Sequence, residues 1–108
     1  MTTVKVLAQS NPSATTLTDA YTVPAATTAT VSSITVCNQA ASATTFRVSV
    51  AVAGAANATK QYLYYDVSLD AYDTFVATIG ITLGAADVIR VYSGNASTSF
   101  NIFGVQTT

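Results

Sequence analysis

Apolar and polar side chains alternate along several stretches of this chain, and helical periodicity is almost absent. The clearest stretch covers residues 46–52, where every second residue is Phe or Val. Because successive side chains of a β-strand point to opposite faces, this pattern predicts strands with one buried face. Phe46, Val48, Val50 and Val52 would face the core.

The same alternation in residues 62–69 separates a core face from an outward face. We predict that Leu63, Tyr65, Val67 and Leu69 point into the core. Tyr62, Tyr64 and Asp66 would then point outward. Because Tyr is enriched at the centre of protein interfaces, Tyr62 and Tyr64 are candidate interface residues. The alternative is that both rings pack within the monomer.

Strand-like segments recur along the whole chain and are separated by turn residues. They cover residues 4–7, 17–23, 28–38, 46–52, 62–69, 75–81, 88–92 and 100–105. A spacing of roughly 8–12 residues is typical of sandwiches and barrels. In segment 28–38, Val31 and Ile34 differ in parity, which indicates either a bulge or two covered faces. We predict one domain, residues 1–108, folded as an all-β antiparallel sandwich of seven or eight strands, jelly-roll-like or Ig-like. Residues 1–5 would form an extended N-terminal arm.

Charged residues make up only 8% of the 108 residues, and there is no His. Four cations are too few and too scattered for a nucleic-acid surface. Without His, the usual general base and most metal sites are absent, so we expect no enzyme activity, no metal and no cofactor. Asp70 and Asp73 suit turn caps better than calcium ligands. No apolar run approaches the length of a membrane helix, and we expect no membrane partner.

The low charge also bears on association with other proteins. Soluble monomers ordinarily carry enough surface charge to keep copies apart. Faces built from Ala, Thr, Ser and Tyr suit close contact, because small side chains lose little entropy when they are buried. We therefore expect self-association, docking onto a larger assembly, or both.

Eight short motifs occur in order along most of the chain. They are YTVPA at 21–25, VSSITVCN at 31–38, TFRV at 45–48, YLYYDV at 62–67, DTF at 73–75, GITL at 80–83, DVIRV at 87–91 and SFNIFG at 99–104. In this order they resemble a family of small virion proteins of tailed bacteriophages.

The resemblance implies a capsid cement (decoration) protein, made in the host cytoplasm and bound to the capsid exterior. Its partners would be the major capsid protein and other copies of itself in a homotrimer. The N-terminal segment, with Val4 and Lys5, would be a candidate capsid contact. One alternative is a tail or neck component that contacts the host. Another is a carbohydrate-binding β-sandwich, in which Tyr62, Tyr64 and Tyr72 would stack against sugar rings.

Overall fold

The computed structural model describes residues 1–108 and contains nine β-strands, two 3₁₀ turns and no α-helix. The strands are β1 (Thr2–Ser10), β2 (Thr18–Thr22), β3 (Thr28–Asn38), β4 (Thr44–Ala51), β5 (Tyr62–Leu69), β6 (Thr74–Ala77), β7 (Ile81–Leu83), β8 (Val88–Ser93) and β9 (Thr98–Thr107). The 3₁₀ turns are Val52–Gly54 and Thr59–Gln61, between β4 and β5. No helical segment is long and apolar enough to cross a membrane.

The strands form two antiparallel sheets that pack face to face. One sheet has the order β1-β9-β3-β6, with β7 also paired to β3, and the other has the order β2-β8-β4-β5. Strands β6 and β7 follow each other along the same side of β3 and together fill one strand position. The chain thus changes sheet at every step over eight strand positions except from β4 to β5, which are neighbours in one sheet, and this is the connectivity of a jelly roll. The predicted all-β sandwich is confirmed, and its topology is the jelly-roll alternative.

The core lies between the two sheets and contains sixteen buried apolar residues. Its largest fully buried side chains come from both sheets: Phe46 and Ile89 from one, Phe100, Ile34 and Ile102 from the other. Alternation supplies these residues, because every second position of a strand faces the opposite sheet.

A bulge in β3 resolves the parity conflict seen in the sequence. Val31 pairs with Gly104 and Ser33 with Phe103, so one extra residue, Ser32, is inserted in β3. The insertion reverses the parity, and both Val31 and Ile34 become buried.

Residues 2–5 do not form a separate arm. They are the first part of β1 and pair in register with β9, from Thr2 opposite Thr107 to Lys5 opposite Gly104. The strand predicted at residues 4–7 extends back to Thr2, because β9 runs beside it as far as Thr107 and supplies the backbone groups that pair with it.

The core face predicted for residues 46–52 is correct for Phe46 and Val48 and wrong for Val52. Strand β4 ends at Ala51, and the chain leaves the sheet through the 3₁₀ turn that begins at Val52. Val52 is consequently 70% exposed.

Candidate interaction surfaces

Two bulges in β5 decide which tyrosines face outward. Opposite β4, Phe46 pairs with Val67, Val48 with Tyr64, and Ser49 with Tyr62. In each of these two steps β5 uses one residue more than β4, and Asp66 adopts a left-handed φ of 51° at the first bulge. An inserted residue moves the following side chains to the other face of the sheet.

The bulges place Tyr64 inside, against the prediction that it shares an outward face with Tyr62. Its ring centroid lies 5.3 Å from that of Phe75 and 6.3 Å from that of Phe46. Leu63 and Tyr65, predicted to be in the core, are 42% and 58% exposed. Beyond the bulges the predicted parity holds, because Leu69 is buried and Val67 packs against the core.

Tyr65 meets Arg47 and Tyr92 on the outer side of the four-stranded sheet. The Arg47 guanidinium lies between the two rings, 4.3 Å from each centroid. Its Nε donates to Asp66 Oδ1 at 2.6 Å, and an Nη atom donates to Asp66 Oδ2 at 3.3 Å. The hydrogen bond with Asp66 raises the pKa of Arg47 above its ordinary value, while partial burial opposes the rise. Arg47 therefore stays charged at any pH at which the protein is folded.

Tyr62 completes this cluster, which we call the aromatic face: Arg47, Tyr62, Tyr65 and Tyr92. The rings of Tyr62 and Tyr65 stand edge to face at 5.0 Å. Together with Thr59 they line a shallow depression of about 360 Å³. Tyr and Arg dominate the few residues that supply most of the energy in protein interfaces. The alternation rule missed Tyr65, because the bulge at Asp66 reverses its parity, and it gave no signal for Tyr92.

The five-stranded sheet is almost free of charge. Lys5 is the one charged residue in its five strands. Its outer side, which we call the uncharged face, carries polar amides, hydroxyls and valines. Among them are Gln9, Thr35, Val76, Asn101, Val4 and Val105.

The other predicted interface residues, Val4 and Lys5, lie on β1 at one edge of this sheet. Val4 is 81% exposed and pairs with Val105 on the outer side. Lys5 is also exposed and makes no ion pair. The structure therefore separates the candidates: Val4 and Lys5 belong to one sheet, and Tyr62 and Tyr64 belong to the other. Their role in an interface stays a prediction.

Four of the five carboxylates make structural contacts, whereas the side chain of Asp70, a predicted turn cap, makes no hydrogen bond or ion pair. Asp19 forms an ion pair with Arg90 at 2.9 Å, and Asp66 forms the pair with Arg47 described above. The Asp73 and Asp87 side chains accept backbone N–H groups at turns. No three His, Cys, Asp or Glu residues come together in a group that could hold a metal ion.

The fold and these surfaces define a charge-poor jelly-roll protein with two broad outer sheet faces. No protein-family model and no curated protein matches the chain. Among solved structures, the chain is similar to a pentameric capsid protein isolated from metagenomic phage sequences, at 18% identity and a TM-score of 0.42. The alignment covers 99% of this chain and 60% of that protein, so the chain spans about three fifths of its length.

Proposed function

We propose that this chain is a structural protein of a tailed-phage particle that binds the assembled capsid lattice from outside as a cement protein. The observation that carries the proposal is the uncharged face, whose whole sheet contains one charged residue. Such a face has almost no charge to keep other proteins away, and it is suited to cover by another protein. The ordered motif resemblance to phage virion proteins supports the same role. Jelly rolls occur in viral capsid proteins and also in lectins.

The shape of the molecule suits a cement function. The chain forms a slab of 43 × 28 × 19 Å, with a sheet on each broad side. A broad sheet with mostly short side chains can lie across neighbouring capsid subunits and lose little side-chain entropy. Each contact is modest, but many copies bound to one lattice act together and hold the subunits against outward pressure.

A homotrimer is part of this proposal. The aromatic face is the candidate self-contact, because it combines three Tyr rings with a fixed Arg. Light scattering of the purified protein should give the mass of a trimer, and Tyr65→Ala should reduce it to that of a monomer. A monomer at micromolar concentration in the unsubstituted protein would contradict this part of the proposal.

Reconstruction of the phage particle tests the location of the chain. We expect density for the jelly roll on the outer surface of the shell, in contact with the major capsid protein. Density restricted to the tail or neck would reject the cement role and favour the alternative of a tail or neck component.

Binding to particles that lack the protein tests the uncharged face itself. Val76→Asp places a charge on that face, at a position that is already 59% exposed. We expect this variant to fold and to lose cosedimentation with the particles. The matched control is Val52→Asp, which adds the same charge at an exposed valine outside the sheet. Equal binding of the two variants would exclude this face as the capsid contact.

The depression between Tyr62, Tyr65 and Thr59 favours one second candidate function, carbohydrate binding. Sugar rings stack on exposed aromatic faces, and jelly rolls include lectins. A glycan array would support this function if binding disappeared in Tyr62→Ala and Tyr65→Ala. Tyr72, predicted to stack beside Tyr62, lies instead in the turn beyond the other end of β5, so Tyr72→Ala should retain binding.

A further inference from the structure

The four sheet edges of this jelly roll are not equally protected. Strand β2 has a bulge at Ala20 and an ion-paired Asp19. Strand β5 has two bulges and Asp66. The remaining edge of the five-stranded sheet is built from the short β6 and β7, interrupted at residues 78–80. Bulges, charges and short strands are the devices by which proteins prevent edge-to-edge pairing.

Residues 2–6 of β1, which we call the open edge, carry one of these devices, the charge of Lys5, and the single bulge of β1 lies beyond them at Leu7. They pair with β9 in continuous register, and the first irregularity comes only between Val6 and Ala8. All five residues are exposed. Because β1 has a neighbour on one side only, the backbone N–H and C=O groups on its other side have no partner within the chain.

We propose that the open edge pairs antiparallel with the open edge of a second copy of this chain, about a twofold axis at Val4. In this register Val4 lies opposite Val4 of the second copy, Thr3 opposite Lys5, and Thr2 opposite Val6. All five residues of each copy then take part. A register centred on Lys5 would place two like charges directly opposite each other, which is unfavourable.

The register also extends the apolar pairing that already exists within each copy. Val4 pairs with Val105 across β1 and β9 on the outer side of the sheet. Twofold pairing would join two such pairs into one row of four valines. The uncharged faces of the two copies would become one continuous surface.

This contact goes beyond the proposed function, because it joins two copies whatever else they bind. It has twofold symmetry and uses the same residues on both sides, so it is distinct from a threefold contact. In a lattice it would link one trimer to the next. Five residues a side fall short of the roughly 800 Å² per partner of a standard interface. The pair is therefore weak in dilute solution and is stabilised where copies are held close together.

Disulfide trapping tests the contact and its register. Residues directly opposite in an antiparallel pair have Cα atoms about 4.5–5.5 Å apart, within the range that a disulfide spans. In a Cys37→Ser background, Val4→Cys should shift from monomer to covalent dimer under mild oxidation. The matched control is Val52→Cys. Val52 is also an exposed valine, but it lies in the 3₁₀ turn after β4 and not on β1. It should remain mostly uncrosslinked.

A mixture of Thr3→Cys and Lys5→Cys should crosslink to each other more than either does to itself. Equal crosslinking of Val4→Cys and Val52→Cys would overturn the proposal, and strong self-crosslinking of Lys5→Cys would overturn the register. Sedimentation at rising concentration gives a second measurement without cysteines: the mass should rise beyond that of the trimer for the unsubstituted protein and stop at the trimer for Val4→Asp. None of these measurements involves capsids, so failure here is distinct from failure of capsid binding.

Discussion

Arg47 is the residue on which the aromatic face depends, because its guanidinium touches two rings and a carboxylate. We expect Arg47→Ala to lower the free energy of unfolding by about 1–2 kcal/mol, since cation–π contacts at partly exposed sites contribute about 0.5–1 kcal/mol each and an exposed ion pair adds little. Arg47→Lys keeps the charge but loses the planar group that stacks on the rings, so its decrease in the free energy of unfolding should be intermediate. Urea unfolding measures both, with Lys60→Ala as an exposed control without an ion pair. Equal stability of Arg47→Ala and the unsubstituted protein would show that the stacking contributes nothing.

Gly104 permits the close approach of β9 and β3. A Cβ atom built at this position would lie within 2.1 Å of the Thr30 carbonyl oxygen, and backbone cannot move aside as a side chain can. We expect Gly104→Ala to lower the free energy of unfolding by about 1–3 kcal/mol, as overpacking of a core does. Gly80→Ala is the matched control, because nothing lies within 4 Å of its Cβ position. Similar melting temperatures for the two variants would contradict the steric argument.

The tyrosines of β5 show where residue-level inference from sequence reaches its limit. Alternation assigns Leu69 and Val67 to the core correctly, because residues 67–69 pair with β4 in continuous register. It fails for Tyr64 and Tyr65, because the bulge at Asp66 depends on how β5 meets β4 and not on β5 alone. Arg47 and Tyr92 become neighbours only through the pairing of β4 with β8, which no local pattern specifies.

At the scale of the elements, Asn38 joins three loops at one end of the sandwich. This fully buried side chain donates to the carbonyl oxygens of Ser42 and Asp70, and its Oδ1 accepts from Ala40 N and Asn95 Nδ2. These partners follow β3, β5 and β8, so one amide holds the connections of both sheets.

We expect Asn38→Ala to lower the free energy of unfolding by about 2–4 kcal/mol, because it leaves several buried polar groups without partners. Asn101→Ala is the control: its amide accepts one exposed hydrogen bond from Gln9, and its loss should change stability by about 0.5 kcal/mol or less. Chemical denaturation of both variants measures the difference. If the Asn38→Ala variant lost no more stability than Asn101→Ala, the loops would not depend on this amide.

Most strands could be predicted because their signal is local, but the segment predicted at 75–81 is interrupted at residues 78–80 and forms two strands, β6 and β7. Segment 28–38 matches β3 at both ends, and the change of parity between Val31 and Ile34 indicated a bulge as one of two explanations. Strand order could not be predicted, because β1 and β9 pair across almost the whole length of the chain. The arm predicted for the N-terminal residues was wrong for the same reason, because residues 2–5 form a strand only through their pairing with β9.

At the scale of the whole molecule, the low charge should appear in the salt dependence of binding. If the uncharged face contacts the capsid, few ion pairs form and little Coulomb energy is available for salt to screen. We expect the affinity for capsids that lack the protein to change little between low and high ionic strength. A steep decrease with salt would assign the contact to Arg, Lys and Asp side chains outside this face.

The number of copies of this chain in the purified particle tests the central claim most directly. Quantitative mass spectrometry against the major capsid protein gives the ratio without any assumption about the structure. A cement protein that covers the lattice should be present in numbers comparable with the major capsid protein. A ratio typical of a tail or neck component, or absence from the particle, would contradict the account.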